Sequence, residues 1–576
     1  MSDPTQQATE VLNNMMQAGQ AAFSQFMKSM GGQVPAMPDA AALGSLPPEA
    51  EKVVKLQQDF AARHTALWQA MLSRKPDEPA APVVPGVEKD RRFSSPEWAE
   101  SPYFDYLRQS YLLNAQFMQQ MADMVPIADG RAKSRMQFMT RQYLDAMAPS
   151  NFAATNPEFI KTALETKGES ITNGIRNLIA DLEKGRISMT DENAFAVGEN
   201  LAISAGAVVY ENPLIQLIQY SPLTEKVGKT PLLIVPPCIN KFYILDLQPA
   251  NSFVRYMVEQ GHTVFLTSWK NPGADEARLG WDEYLALGPI AALDVVRDIT
   301  GVEKPNALGF CVGGTILTSA LAVLKARGQD PVASLTLLTT LLDFSDSGEI
   351  GCLIDETAVA TREAIIGKQG LLPGRELAQV FSSLRANDLI WQYVVGNYLK
   401  GRTPDAFDLL YWNADSTNLP GPFLAYYLRH MYLQNDLRVP GRLSMLDTKV
   451  DLTRVDVPTY FLSAREDHIV PWQTSYLGRK LIGGETTFVL AASGHIAGVI
   501  NPASKNRRSY WVNEANVTTA DEWVGGAAEQ AGSWWPHYDQ WLKKFSGETL
   551  AARGRLGNKR YVPIEPAPGR YVKERV

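Results

Sequence analysis

Pro305-Asn306-Ala307-Leu308-Gly309-Phe310-Cys311-Val312-Gly313-Gly314-Thr315-Ile316-Leu317 decides how this chain folds. The apolar run up to Phe310 predicts a short buried strand, and the run from Gly313 to Leu321 predicts a helix that starts at once. Cys311 then stands on the sharp turn between the two. Glycine at 309 and 313 keeps Cβ atoms out of a turn pressed against its neighbours. A side chain in that place stands clear of the backbone, with a helix N-terminus behind it that favours an anion. A thiolate there would exchange readily with thioesters. A buried structural cysteine in a glycine-rich turn would also fit the pentapeptide, so the weight falls on residues further down the chain.

The spacing resembles the Gly-x-Ser-x-Gly nucleophile elbow of α/β-hydrolases, with cysteine for serine. In that arrangement an acid and then a histidine come after the nucleophile. Val457-Pro458-Thr459-Tyr460-Phe461-Leu462-Ser463 reads as a buried strand, with Ala464-Arg465-Glu466-Asp467-His468 directly after it. Asp467 is the candidate acid, with Glu466 its rival. Thr487–Ala491 reads as the next strand, and Ser493-Gly494-His495 lies just beyond it. Of the six histidines, His495 alone has this strand-then-small-residue context. His468, beside the acid, could line the site or sit exposed in its loop. His64, His262, His430 and His537 read as structural.

An oxyanion site needs two backbone N–H groups. Val312, directly after the nucleophile, should supply one. The loop after the predicted strand Leu232–Val235 should supply the other. It runs Pro236-Pro237-Cys238-Ile239-Asn240-Lys241, and proline has no N–H, so the donor is Cys238, Ile239 or a neighbour. Cys238 as a second reactive thiol is weighed against a small buried hydrophobe, and the latter is preferred.

Several runs together resemble the polyhydroxyalkanoate synthases. They are Pro236 to Leu247, the elbow through Gly314, Tyr411-Trp412-Asn413-Ala414-Asp415-Ser416-Thr417-Asn418-Leu419-Pro420 and Ser463 to Trp472. Ser493 to Gly498, Phe93-Ser94-Ser95-Pro96-Glu97-Trp98 and Gly532-Ser533-Trp534-Trp535-Pro536-His537 match as well. The likeness runs from about residue 90 onward, and the length and extended N-terminal region resemble the class I enzymes. It implies polymerisation of short-chain (R)-3-hydroxyacyl-CoA, 3-hydroxybutyryl-CoA above all, with release of CoA through a covalent cysteine thioester. It also implies a homodimer, a cytoplasmic polyester granule as the place of work, and a greater part for Asp467 in elongation than in acylation. Trp412, in one of the matching runs, is a candidate for the substrate pocket. A cysteine-dependent esterase, thioesterase or polyester depolymerase would use the same residues. A non-catalytic granule scaffold would leave the nucleophile, acid and histidine unexplained.

At 576 residues with 45% hydrophobic content the chain can bury a large core. A net charge of −7 gives no support to nucleic-acid binding, and three cysteines argue against a disulfide framework. No signal peptide is apparent and no apolar run is long enough for a membrane span. Residues 1–190 read as a helical N-terminal region with a proline-rich linker near 75–90. Residues 191–576 read as an α/β-hydrolase-like catalytic domain with a mostly parallel sheet. The predicted strands are Leu232–Val235, Thr263–Ser268, Asn306–Phe310, Leu335–Thr339, Thr459–Ser463 and Thr487–Ala491. Strand patterning lapses at about 343–420, an aromatic segment that reads as a cap excluding water from an acyl-enzyme. Ile171, Ile175, Leu178, Ile179 and Leu182 share one face of a helix, expected to pack on the catalytic domain. The Met- and Phe-bearing first 75 residues read as disordered or as a contact for the granule or its coating proteins. No cofactor or metal is called for, because thioester to oxoester is downhill.

Overall fold

The computed structural model describes residues 48–74, 82–515 and 517–575. The Met-rich stretch 1–33 and residues 75–81 of the linker lie outside them. The chain forms two compact units, one up to His64 and one from Thr65. In the first, helix α1 (Pro48–Ser73) begins, with the Phe60 and His64 rings 5.7 Å apart.

The second unit is built on an eleven-stranded sheet. Its strands are β1 (Gly206–Glu211), β2 (Ile215–Tyr220), β3 (Leu232–Val235), β4 (Val264–Trp269), β5 (Asn306–Phe310) and β6 (Ser334–Leu338), and then β7 (Thr459–Ala464), β8 (Thr486–Ala491), β9 (Ser509–Val512), β10 (Ala528–Ala531) and β11 (Glu565–Pro566). The order across the sheet is β10-β9-β8-β7-β6-β5-β3-β4-β2-β1-β11. From β8 to β4 every pairing is parallel. These are the six strands the sequence predicts, each within one residue of its expected ends. Strands β3 to β7 are buried on both faces, which is why they read as unbroken apolar runs.

The antiparallel edges were not expected. Strand β2 carries Gln216 and Gln219, both buried. Gln216 Nε2 donates to Glu211 and Glu565, and Gln219 Oε1 accepts the Gly557 N–H at 2.7 Å. Glu565 and Gly557 lie far along the chain, so the strand has no alternating pattern to announce it. Strand β10, Ala-Glu-Gln-Ala, is exposed throughout.

Helices α2 (Pro102–Met124), α3 (Gly130–Ala146), α4 (Pro157–Glu165) and α5 (Glu169–Lys184) precede the sheet. Asp129 caps α3 and Asn156 caps α4 through their side chains. Helix α5 corrects one expectation. It packs through Ser170, Gly174 and Asp181, not through its apolar stripe. A Cβ on Gly174 would stand 2.0 Å from the Tyr398 carbonyl oxygen, so only glycine permits this approach. Asp181 accepts the Tyr398 hydroxyl at 2.8 Å, and Asn177 donates to the Asn397 carbonyl at 3.0 Å. The stripe faces outward, with Ile175 55% and Leu182 72% exposed.

Helix α6 (Val312–Ala326) begins directly after β5 and is buried for most of its length. Between β6 and β7 the chain is helical, with α7 (Glu356–Ile366), α8 (Gly374–Leu384) and further turns through Leu433. Strands within the expected cap are two residues long, Leu371–Leu372 pairing with Leu419–Pro420. Helix α3 grips this insertion. Arg135 and Arg141 pair with Asp355 and Glu349, and Gln142 Nε2 donates to the Ser383 carbonyl at 2.8 Å. No helix among the described residues is long and apolar enough to cross a membrane.

Candidate active site

Cys311 sits between the end of β5 and the start of α6 with φ +52° and ψ −129°. Backbone of this kind costs a non-glycine residue about 1–3 kcal/mol and persists only where its surroundings enforce it. Here the Cys311 N–H donates to the Leu338 carbonyl, and the Gly314 N–H to the Cys311 carbonyl, both at 2.9 Å. The turn is wedged against the end of β3. A Cβ on Gly313 would stand 2.4 Å from the carbonyl oxygens of both Val235 and Pro236, and one on Gly309 would stand 2.3 Å from Gly314 Cα. Both glycines of the pentapeptide are thus demanded by close backbone approach.

The two other parts meet Cys311 from the ends of β7 and β8. His495 opens α9 (His495–Val499), and its Nδ1–H donates to Asp467 Oδ2 at 2.7 Å. Asp467 Oδ1 accepts the N–H groups of Ile469 (2.8 Å) and Val470 (2.9 Å), which fixes the carboxylate. With Nδ1 on the carboxylate, the other ring nitrogen is left for the Cys311 sulfur, which lies within electrostatic reach of the ring. Burial alone would lower the His495 pKa. The Asp467 carboxylate and the Cys311 sulfur outweigh it and raise it to about 10. The ring therefore carries a proton at neutral pH. Glu466, the rival acid, is exposed, and its N–H donates to the Ser493 carbonyl.

His468 is half-buried beside this group. Burial pushes its pKa down to about 4, so it is neutral at pH 7. Its carbonyl accepts the Glu349 N–H at 2.9 Å, joining the acid loop to the segment that α3 grips. The remaining described histidines of this unit serve the scaffold. His262 bonds Asp539 at 2.8 Å, His430 bonds Asp436 at 3.0 Å and His537 bonds Tyr460 at 3.0 Å.

Val312 is the first residue of α6, so its N–H has no intrahelical partner. The β3 loop lies against this helix start through Val235 and Pro236. Cys238 is buried, and burial pushes its thiol well up, which leaves it protonated and unreactive. Trp412 is buried too, and its Nε1 donates to the Lys241 carbonyl at 2.7 Å. It ties the insertion to the β3 loop. Two buried tyrosines missed by sequence reasoning, Tyr427 and Tyr432, have ring centroids 5.1 Å apart and lie within electrostatic reach of the Cys311 sulfur. Burial first, and then neighbouring groups that include that sulfur, hold both hydroxyls protonated. They lie beyond Pro420, where nothing in the local pattern sets them apart from other aromatics. A cavity of about 630 Å³ lies between the end of α5, α8 and Asp415–Ser416, and Cys311, Asp467 and His495 do not line it.

The family model described as poly-beta-hydroxybutyrate polymerase (PhaC) N-terminus matches residues 89–257, and that of the alpha/beta hydrolase fold matches residues 231–502. The chain is 53% identical over 523 residues to a poly(3-hydroxyalkanoate) polymerase subunit PhaC of Cupriavidus necator, covering 90% of this chain and 88% of that one. It is 39% identical over 513 residues to the corresponding subunit of Rhizobium meliloti, covering 88% and 84%. It is 40% identical over 491 residues to a poly(3-hydroxyalkanoate) polymerase of Ectopseudomonas oleovorans, covering 84% and 87%. With relatives this similar along most of its length, and an α/β-hydrolase sheet carrying cysteine at the elbow, the chain belongs to the poly(3-hydroxyalkanoate) polymerase family of acyltransferases.

Proposed function

We propose that the protein is a class I synthase that polymerises short-chain (R)-3-hydroxyacyl-CoA, 3-hydroxybutyryl-CoA first among them, through an acyl thioester on Cys311. The observation that carries this reading is the strained elbow cysteine, its sulfur within electrostatic reach of a His495 ring that Asp467 holds.

In acylation the Cys311 thiolate, beside the protonated His495, attacks the thioester carbonyl and the new C–S bond forms. The oxyanion is held by the N–H groups of Val312 and of Cys238 or Ile239. The intermediate collapses, the bond to CoA sulfur breaks, and His495 gives its proton to the departing thiolate. His495 is now neutral. In elongation it takes the proton of an incoming 3-hydroxyl, whose oxygen attacks the Cys311 thioester. An oxoester forms and the Cys311 thiolate leaves beside a protonated His495 again. Asp467 holds the ring in the tautomer both steps require. The cap, joined to the acid loop at the His468 carbonyl, shields the acyl-enzyme from water.

The outward apolar stripe of α5, with exposed Ile160 and Leu164 on α4, supports attachment to an apolar polymer granule or to a protein that coats it. Work at cytoplasmic granules and a homodimer are part of the same reading.

Incubation with 3-hydroxybutyryl-CoA, with CoA release and polymer turbidity recorded together, tests the proposal. Wild type should release CoA with insoluble polymer, and Cys311→Ala should do neither. Release of free 3-hydroxybutyrate in place of polymer would make the protein a thioesterase on the same scaffold.

A further inference from the structure

A short segment of the insertion, Trp412 to Thr417, bonds the loop after β3 at several points. The Tyr243 hydroxyl donates to Asp415 Oδ2 at 2.9 Å, and Asn240 and Ser416 form an isolated antiparallel bridge. The Thr417 N–H donates to the Ile239 carbonyl at 2.9 Å. The Thr417 hydroxyl, buried, lies 2.5 Å from the Cys238 carbonyl oxygen and 2.7 Å from that of Ile239. Its single proton is shared between two successive carbonyls.

A trans peptide points its C=O and N–H in opposite directions. With the Cys238 carbonyl drawn toward Thr417, the N–H of the same peptide, that of Ile239, points away from it. The Ile239 N–H makes no hydrogen bond among the described residues. The start of α6 lies against the same loop, where a Cβ on Gly313 would stand 2.4 Å from the Pro236 carbonyl oxygen.

We propose that Thr417 is a positioning residue for acyl transfer: its hydroxyl fixes the Cys238–Ile239 peptide so that the Ile239 N–H, rather than that of Cys238, stands opposite Val312 as the second oxyanion donor. This rests on the reading of Cys311 as nucleophile. Valine has the shape of threonine without the hydroxyl, so Thr417→Val frees this peptide while keeping the packing.

The test compares wild type, Thr417→Val and Thr417→Ser in single-turnover CoA release from 3-hydroxybutyryl-CoA. It is run beside alkylation of Cys311 by iodoacetamide, read by peptide mass. Loss of a whole oxyanion donor costs about 10²–10³-fold, so a misaligned one should slow acylation about 10–100-fold, on kcat more than KM. Alkylation has no oxyanion and should keep its wild-type rate. Thr417→Ser, which restores the hydroxyl, should recover acylation to within about threefold. Unchanged acylation in Thr417→Val overturns the proposal, and so does a parallel fall in alkylation or a failure of serine to rescue. Cys311→Ala that still released CoA would overturn the underlying reading instead.

Discussion

Asp467→Asn tests how the three side chains divide their labour. Asp467 Oδ1 already accepts two backbone N–H groups, so the asparagine oxygen stays there and the new NH2 faces His495 Nδ1. The reverse orientation would set donors against both N–H groups. Facing an NH2, Nδ1 must accept, which leaves the ring proton on Nε2, toward the sulfur, where a base is needed. The carboxylate's attraction for the protonated ring is lost as well. Across the 2.7 Å contact, at an effective dielectric of about 20, it amounts to about 4–6 kcal/mol, or about 10³–10⁴-fold. The two chemical steps should not suffer alike. Acylation needs only a thiolate, and thiols ionise near pH 8.5 without help. Elongation needs a base for an alcohol, and mild alkali does not provide one. At pH 7 both steps should slow. At pH 9 single-turnover CoA release should recover to within about tenfold of wild type, with polymer formation still down about 10³–10⁴-fold. Quenched-flow CoA release and polymer turbidity on the same samples read both. Release that stays as depressed as polymer formation at pH 9 would refute this division of roles.

Gly313→Ala drives a Cβ to 2.4 Å from two backbone oxygens, so it should destabilise the fold by at least about 1–3 kcal/mol in denaturant titration and remove CoA release. Asp415 is raised by burial from 3.8 to about 6, against the opposing pull of Lys241 and Tyr243. The folded state then binds more protons than the unfolded one between these values, so stability falls as pH rises through that window, by about 3 kcal/mol. Asp415→Asn should be free of that loss, and its melting temperature relative to wild type should rise from pH 4 to pH 7. Replacing Ile175, Ile179 and Leu182 by serine should change stability by no more than about 0.5 kcal/mol each, because the stripe faces outward. The same variant should sediment less with polymer granules, and equal sedimentation would remove the stripe from granule attachment.

The elbow and the central strands were legible because their signals are local. Gly309 and Gly313 flank a cysteine between a strand and a helix, and β3 to β7 are runs that must be apolar on both faces. Asp467 and His495 could be placed because each lies just past the end of a buried strand. What stayed hidden depends on distant partners. The apolar period of α5 marked a helix correctly but named the wrong buried face. The contact was chosen by Gly174 and Asp181 meeting Tyr398, more than 200 residues away. Strand β2 hides for a like reason, its buried glutamines being satisfied by Glu565 and Gly557. No local pattern in Tyr427, Tyr432 or Thr417 could have shown that they close around Cys311 and the β3 loop.

Lys241, buried in the β3 loop, donates from Nζ to the Glu574 carbonyl oxygen at 2.6 Å, across 333 residues of sequence. Strand β11 seals the sheet edge from the same stretch of chain. A ribosome adding about 5–20 residues per second needs roughly 17–70 s to travel that distance. The elbow thus exists as sequence well before the loop opposite it can be tied down. The β3 loop in this way lacks its Lys241 tie, and the sheet edge its last strand, until residues 565–574 have been made.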